Sequence, residues 1–197
     1  MKNIKIVCIG DSLTYGFGIS RRETWTSLSA QKDGLEIINK GINGDTTGGM
    51  LSRFNEDVIS QKPDLAFIMG GGNDIIMDAP MGVIRSNITA MVHQSYASGI
   101  TPVLGIPVRF DWKNLRDDWS SLNNFELISK VYTEYFFWLK KYCGVFNVAY
   151  IDFSIYNDEM SKRGLSPHYL DGLHPTAQGH RLLSEIFLSE LSRILKL

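Results

Sequence analysis

The sequence predicts an α/β fold in which a mostly parallel sheet is covered by helices on both faces. Short apolar runs alternate with longer amphipathic segments from one end of the chain to the other, which is typical of βα units. The apolar runs are hydrophobic at consecutive positions, as strands are when both faces of the sheet are buried. The chain has 197 residues, 44% of them hydrophobic, which fits one domain. We therefore expect residues 1–197 to fold as a single domain.

Five strands are predicted in order along the chain. The first run, Ile6-Val7-Cys8-Ile9, stops at Gly10, and the third is preceded by Pro63 and followed by three glycines. Glycine and proline commonly mark such boundaries because they interrupt regular structure. The predicted strands cover residues 5–9, 35–39, 64–69, 101–106 and 145–152.

Four amphipathic helices are predicted between and after these strands, because apolar residues recur every three or four positions. The first begins after Thr46 or Thr47, either of which fits the N-cap position. The last begins at Pro175, since proline is favoured in the first helical turn. The apolar faces of the four carry Met50, Leu51, Phe54 and Val58; Ile84, Ile88, Met91 and Val92; Phe125, Ile128, Tyr132, Tyr135, Phe136 and Leu139; and Leu183, Ile186, Phe187, Leu191 and Ile194.

Charge and composition exclude several functions. Twenty basic against twenty-one acidic side chains give a net charge of −1, without the basic field that a nucleic-acid-binding protein needs. No apolar run approaches the roughly 20 residues that span a bilayer, and the first residues show no signal-peptide cleavage pattern. We therefore expect a cytoplasmic protein without a transmembrane segment. Cys8 and Cys143 are isolated in apolar runs and no cofactor motif is evident, so we expect neither a metal nor a cofactor.

Polar and glycine-rich loops follow the predicted strands at the edge where ligands bind in parallel sheets. The carboxyl ends of the strands meet at this edge, because the crossover connections are right-handed. Four loops there carry a hydroxyl, closely approaching backbone N–H groups, a side-chain amide, and a carboxylate with an imidazole, all of which acyl transfer uses. They read Gly10-Asp11-Ser12-Leu13, Gly41-Ile42-Asn43-Gly44-Asp45-Thr46, Gly70-Gly71-Gly72-Asn73-Asp74 and Asp171-Gly172-Leu173-His174-Pro175.

These four blocks, in this order and at these distances, resemble those of the SGNH (GDSL) hydrolases, in particular the small bacterial esterase and lysophospholipase type. The resemblance runs over nearly the whole chain. It implies a three-layer α/β/α, flavodoxin-like fold with a parallel five-stranded sheet in the order 2-1-3-4-5. It also implies that Ser12 is the nucleophile and that Asp171 and His174 complete a catalytic triad. The oxyanion hole is implied to use Ser12, Gly44 and Asn73.

Elementary chemistry agrees with these roles, although each residue also has a simpler interpretation. A serine hydroxyl needs a base, which His174 could supply while Asp171 fixes its tautomer. Ser12 or Asp171 could instead merely cap a helix, and Asn73 could be a turn residue. Asp11 and Asp74 are expected to brace their loops. His168 is the one rival base, whereas His93 and His180 are expected to be surface or core residues.

The leading functional hypothesis is a serine hydrolase that cleaves small carboxylic esters through an acyl-enzyme. A carbohydrate O-acetyl esterase and a lysophospholipase are alternatives on the same fold. A nucleotide- or flavin-binding module is the alternative outside enzymes, although no G-x-G-x-x-G follows the first strand. The segment 107–119 is either a wall of the substrate pocket or an ordinary surface loop. The substrate-binding residues and the oligomeric state stay open.

Overall fold

A computed structural model describes residues 3–166 and 168–196. Its sheet has five parallel strands in the spatial order β2-β1-β3-β4-β5, which confirms the predicted fold class. The predicted domain limits, residues 1 and 197, lie outside the described residues. The strands are β1 (Ile4–Gly10), β2 (Leu35–Gly41), β3 (Leu65–Met69), β4 (Thr101–Ile106) and β5 (Ala149–Asp152).

Helices connect the strands and cover both faces of the sheet. The α-helices are α1 (Ser12–Tyr15), α2 (Trp25–Ser29), α3 (Thr47–Asp57), α4 (Gly72–Ile76), α5 (Met81–Ala97), α6 (Asp117–Ser120), α7 (Phe125–Phe146), α8 (Tyr156–Lys162) and α9 (Ala177–Leu195). Within the described ranges, none of these helices is both long and apolar enough to span a membrane.

Two hydrophobic clusters lie on opposite faces of the sheet. In β1, Val7 and Ile9 pack into the cluster beneath α3, α5 and α7, whereas Ile6 and Cys8 pack into the cluster beneath α8 and α9. This alternation is expected because successive side chains of a strand point to opposite faces. The continuous apolar run is therefore the signature of a strand buried on both sides.

The last strand is shorter than the sequence predicts. The prediction places a strand over 145–152, but α7 continues to Phe146 and ends at Asn147, which adopts the left-handed conformation. Val145 and Phe146 are exposed on the last turn of this helix. A short apolar run cannot by itself distinguish the end of a helix from the start of a strand.

The last helix also begins later than predicted. Pro175 is paired with Tyr169 in an isolated β-bridge, and α9 starts at Ala177. Thr176 is the N-cap, and its side chain accepts a hydrogen bond from the Gly179 N–H at 3.2 Å. The same arrangement begins α3, where the Thr46 side chain accepts from the Gly49 N–H at 3.1 Å. Threonine therefore caps both helices, and the choice between Thr46 and Thr47 is settled for Thr46.

Candidate active site

Ser12 lies where β1 ends and α1 begins. The residue before it, Asp11, caps this short helix, since its Oδ1 accepts a hydrogen bond from the Leu13 N–H at 2.9 Å. The simpler interpretation of Ser12 as a helix cap is therefore wrong, because Asp11 is the cap. The Ser12 hydroxyl is left to interact across the edge of the sheet.

A chain of hydrogen bonds joins Ser12 to the loop before α9. Ser12 Oγ and His174 Nε2 lie 2.9 Å apart, and His174 Nδ1 lies 2.8 Å from Asp171 Oδ2. The residues of this chain are 162 and 3 positions apart in sequence, and all three side chains are buried. The structure thus brings together the three side chains that the sequence analysis selected.

Asp171 is fixed by its own loop. Its Oδ1 accepts the backbone N–H groups of Leu173 at 3.0 Å and His174 at 2.9 Å, while Oδ2 faces the imidazole. Burial alone would raise the pKa of this carboxyl, but the hydrogen bonds from His174 and Leu173 outweigh it and lower the pKa to about 2. Asp171 is therefore a carboxylate at neutral pH, and it orients the ring of His174.

Gly44 and Asn73 follow the ends of β2 and β3, the two strands that flank β1. Gly44 has a φ of 74°, which suits glycine in the turn that the Asp45 N–H closes on the Ile42 oxygen at 3.2 Å. Asn73 belongs to α4, and its Nδ2 donates to the main-chain oxygen of Asp45 at 2.8 Å. An amide nitrogen carries two protons, so one N–H of Asn73 is left for a further acceptor.

One cavity of about 330 Å³ brings the predicted site residues together. Ser12, Gly44, Asn73 and His174 line it, whereas Asp171 lies behind His174. Its other wall is largely apolar, and sequence reasoning did not identify most of its members. They are Leu13, Phe17, Ile76, Val108, Phe110, Trp119, Tyr132 and Leu173, with Arg116 beside them.

Only part of this wall could have been identified from the sequence. Val108, Phe110, Arg116 and Trp119 come from the segment 107–119, so the structure supports its interpretation as a pocket wall. Tyr132 instead belongs to the apolar stripe of α7, which the sequence analysis assigned to the core. It packs against Phe110 with ring centroids 5.2 Å apart. Helical periodicity shows that such a ring is buried, but not that it faces a cavity.

The segment 107–119 is hydrogen-bonded through its backbone to the loop that carries Asp171 and His174. The Asp111 N–H donates to the Gly172 oxygen at 2.8 Å, and the Arg116 N–H donates to the Asp171 oxygen at 3.2 Å. Gly172 has a φ of 86°, and a Cβ there would lie 2.8 Å from backbone atoms of Asn114 and Leu115. Glycine at this position therefore allows the two segments to pack in direct contact.

Asp11 and Asp74, which are predicted to brace their loops, are both buried. Each carboxylate accepts a hydrogen bond from a backbone N–H group. Asp74 accepts from the Thr47 N–H at 2.8 Å and from the Thr47 hydroxyl at 2.6 Å, which joins α4 to α3. Asp11 caps α1 and also lines the cavity. Burial raises the pKa of Asp11 to about 6, and the nearby Asp45 and Asp74 add to the effect.

The remaining histidines are separate from the hydrogen-bond chain. His168 contacts the rings of Tyr156 and Tyr169 and is not among the described residues that line the cavity, so it does not replace His174. His93 is exposed on α5. His180 is buried in α9, where its Nδ1 accepts the Trp25 N–H at 3.1 Å.

The fold and this hydrogen-bond chain define an α/β protein with a serine, histidine and aspartate at the carboxyl edge of its sheet. Residues 8–182 match the family model described as the GDSL-like Lipase/Acylhydrolase family. The match covers well over half of the chain, and the protein belongs to this family.

Individual relatives and solved structures are similar to the chain at modest identity. An arylesterase of Vibrio mimicus is 33% identical over 105 residues, which cover 51% of this chain and 52% of that relative. An acetylxylan esterase of Geobacillus stearothermophilus is 27% identical over 174 residues, covering 80% of this chain and 73% of that protein. A solved G-D-S-L family protein from Desulfitobacterium hafniense DCB-2 has a TM-score of 0.79 at 25% identity, covering 95% of this chain and 99% of that chain. The chain spans about half the length of the first curated relatives that it matches.

Proposed function

We propose that this protein is a serine ester hydrolase that cleaves small carboxylic esters through an acyl-enzyme. The observation that carries the proposal is the continuous hydrogen-bond chain from Ser12 Oγ through His174 to Asp171, at 2.9 and 2.8 Å. Both distances are within the range at which a base can take a proton from a hydroxyl. The family membership of the chain supports the same reaction class.

In the proposed reaction, Ser12 Oγ attacks the ester carbonyl carbon while His174 Nε2 takes the hydroxyl proton. Asp171 stabilises the imidazolium that forms, because its carboxylate faces Nδ1. When the tetrahedral intermediate collapses, His174 gives the proton to the leaving alcohol and the acyl group stays on Ser12. Water then attacks the acyl carbon while His174 takes its proton. The bond from that carbon to Ser12 Oγ breaks, His174 returns the proton to Oγ, and the free acid leaves.

The negative oxygen of the intermediate is proposed to bind three donors. These are the backbone N–H groups of Ser12 and Gly44 and the second N–H of Asn73, which all line the cavity. Donors held in place before the reaction stabilise charge that develops in the transition state without reorganising. The bond between Asn73 Nδ2 and the Asp45 oxygen supports this role, since it orients the amide.

The cavity supports a substrate with an apolar acyl or alcohol group. Aromatic and aliphatic side chains form most of its wall away from Ser12, including Phe110, Trp119 and Tyr132. A site of this kind binds apolar groups and uses its few polar groups to orient them. A carbohydrate O-acetyl esterase is the second candidate, which the likeness to an acetylxylan esterase over 80% of the chain favours. Among the described residues that line the cavity, none favours a lysophospholipid specifically, and that alternative stays a prediction.

We also propose that residues 1–197 form one domain and that the enzyme works in the cytoplasm. The first proposal is supported by the family match over residues 8–182 and by a sheet with which both hydrophobic clusters pack. Limited proteolysis tests the domain, which should resist cleavage as one unit. Fractionation of the source cells tests the location, and recovery with the envelope fraction would contradict it.

A fluorophosphonate probe tests the proposed nucleophile. The probe should label the protein covalently, and Ser12→Ala should abolish both labelling and the hydrolysis of nitrophenyl acetate. Ser95→Ala is the matched control, since Ser95 is a buried serine whose hydroxyl bonds only to the Met91 oxygen among the described contacts. This control should label like the wild type. A Ser12→Ala protein that is still labelled and active would overturn the serine mechanism.

A further inference from the structure

The main chain of Asp45 holds two of the three proposed oxyanion donors. Its oxygen accepts Asn73 Nδ2 at 2.8 Å, which directs the amide of that side chain. Its N–H donates to Ile42 and closes the turn that contains Gly44. A shift of the Asp45 backbone would therefore move the Asn73 amide and the Gly44 N–H together.

Arg53 fixes Asp45 from outside the cavity. Its Nε and Nη2 lie 2.9 and 2.7 Å from Oδ2 of Asp45. The side chains of Arg53 and Asp45 are only 15% and 10% exposed, so water and salt screen the pair weakly. Short hydrogen bonds between charged groups are the strongest that side chains make.

The same guanidinium also reaches the strand that carries Ser12. Arg53 Nη2 lies 3.2 Å from the main-chain oxygen of Gly10, the last residue of β1. Gly10 also accepts the Ile42 N–H at 3.0 Å. Arg53 thus joins the turn that holds Gly44 to the end of β1, two residues before Ser12.

Arg53 is itself held on its remaining side. Its Nη1 donates to Asp57 at 2.7 Å, and Lys40 donates to the other oxygen of Asp57 at 2.7 Å. Burial alone would raise the pKa of Asp57, but the hydrogen bonds from Lys40 and Arg53 outweigh it and lower the pKa. Each nitrogen of the guanidinium is therefore hydrogen-bonded, which restrains its orientation.

From these contacts we infer that Arg53 is a positioning residue for the oxyanion hole, acting through Asp45 and Gly10. Arg53 is not among the described residues that line the cavity, so it aligns the donors without touching the substrate. The inference rests on the proposed function, in which Gly44, Asn73 and Ser12 are the oxyanion donors. Displacement of catalytic groups by about 1 Å can cost roughly 10²-fold in rate, so alignment from this distance is significant.

Arg53→Ala and Arg53→Lys test the inference. Each should lower kcat about ten- to a hundredfold with little change in KM, because misplaced donors weaken transition-state binding more than substrate binding. Lysine should restore little, since an ammonium cannot make the same planar set of bonds. Arg193→Ala is the control, because Arg193 is exposed on α9 and pairs with Glu190. Its kcat should equal that of the wild type.

A double-mutant cycle separates positioning from a general structural role. In an Asn73→Ala background, Arg53→Ala should lower kcat by a clearly smaller factor than it does in the wild type, because one of its targets is already gone. Kinetics well below the unfolding temperature of each variant exclude loss of folded protein. Equal factors in both backgrounds, a loss confined to KM, or wild-type kcat in Arg53→Lys would each overturn the inference. The fluorophosphonate probe still labels Ser12 in those cases if the proposed function itself is right.

Discussion

His174 and His180 lie six residues apart, and both are almost completely buried, yet their surroundings give them different chemistry. His174 Nδ1 faces a carboxylate and Nε2 faces a hydroxyl. His180 Nδ1 instead accepts the backbone N–H of Trp25, and the buried ring joins α9, to which it belongs, to α2. The Nδ1 lone pair of His180 therefore already accepts a hydrogen bond from the main chain.

The difference shows that burial alone does not make a histidine a base. Burial lowers the pKa of His180 to about 4, and the nearby His174 adds to this effect, so His180 is neutral near pH 7. A neutral ring whose accepting nitrogen is occupied by a backbone N–H packs and caps, but it does not take a proton from a substrate. A carboxylate that orients the ring and a nitrogen that faces a hydroxyl distinguish the surroundings of His174.

The largest expected effect is the loss of turnover when His174 or Ser12 is replaced. His174→Ala and Ser12→Ala should each lower kcat by roughly 10⁴- to 10⁶-fold, because nucleophile and base act as one unit. The double variant should be hardly slower than either single variant. Steady-state kinetics on all three proteins check this. Losses that multiply would show that the two residues act independently.

A smaller loss of turnover is expected when the polar surroundings of Ser12 change and His174 is kept. Asn73→Ala should lower kcat by about 10²- to 10³-fold with a modest change in KM, as removal of one oxyanion donor typically does. Asn73→Asp should be slower still, since a carboxylate offers no N–H and repels the developing oxyanion. Kinetics and thermal unfolding of the same proteins check this prediction. A loss explained wholly by unfolding would remove Asn73 from the mechanism.

Replacement of His180 is expected to lower the stability of the fold and not the turnover. His180→Leu leaves the buried Trp25 N–H without its acceptor and should lower the free energy of unfolding by about 1–3 kcal/mol. Because His180 is outside the hydrogen-bond chain, kcat/KM should stay near the wild-type value. Urea unfolding and steady-state kinetics measure both quantities. His93→Leu, at an exposed position of α5, is the control and should change stability by less than about 0.5 kcal/mol. A loss of activity like that of His174→Ala would end the distinction between the two histidines.

The pH dependence of stability gives the finest test. The ordinary pKa of histidine is 6.5, whereas the pKa of His180 in the folded protein is about 4, so between these values the unfolded chain binds more protons. The stabilisation is present above pH 6.5 and is lost as the pH falls towards 4, by about 3 kcal/mol in all. The raised pKa of Asp11 has the opposite effect, because its contribution to the free energy of unfolding increases as the pH falls below 6.

The difference between two proteins isolates the contribution of His180 from that of Asp11. Urea unfolding of wild type and His180→Leu should be measured from about pH 7 to about pH 4, the range over which His180 titrates in the two states. The wild type should lose more stability over this range, and the His93→Leu control should follow the wild type. Parallel curves for wild type and His180→Leu would show that His180 gains a proton in the folded state as readily as in the unfolded chain.

Much of the fold could be predicted because the sheet is buried on both faces. The run of Ile6 to Ile9 has no polar position, as expected for a strand between two layers of helices, and Gly10 marks its end. The end of α7 could not be predicted, since Val145 and Phe146 are apolar but exposed. The hydrophobic pattern there follows neither the sheet nor the core.

The sequence also predicted which side chains meet at the site, whereas their catalytic roles stay predictions. Ser12, Gly44, Asn73 and His174 follow strands or precede a helix at the same edge, so topology alone brings them together. Arg53 could not be selected in this way. It lies on a helix among ordinary polar residues, and its importance depends on three contacts that only the folded chain makes.

The backbone bonds between the segment 107–119 and the loop of Asp171 limit how the substrate range of this protein can change. Because Asp111 and Arg116 bond directly to Gly172 and Asp171, an insertion or a transplanted loop here would also displace Asp171 and His174. Exchange of single side chains such as Phe110 or Trp119 leaves those backbone bonds in place. Altered selectivity is therefore more accessible, to selection or to a designer, through point substitutions in this segment than through changes in its length.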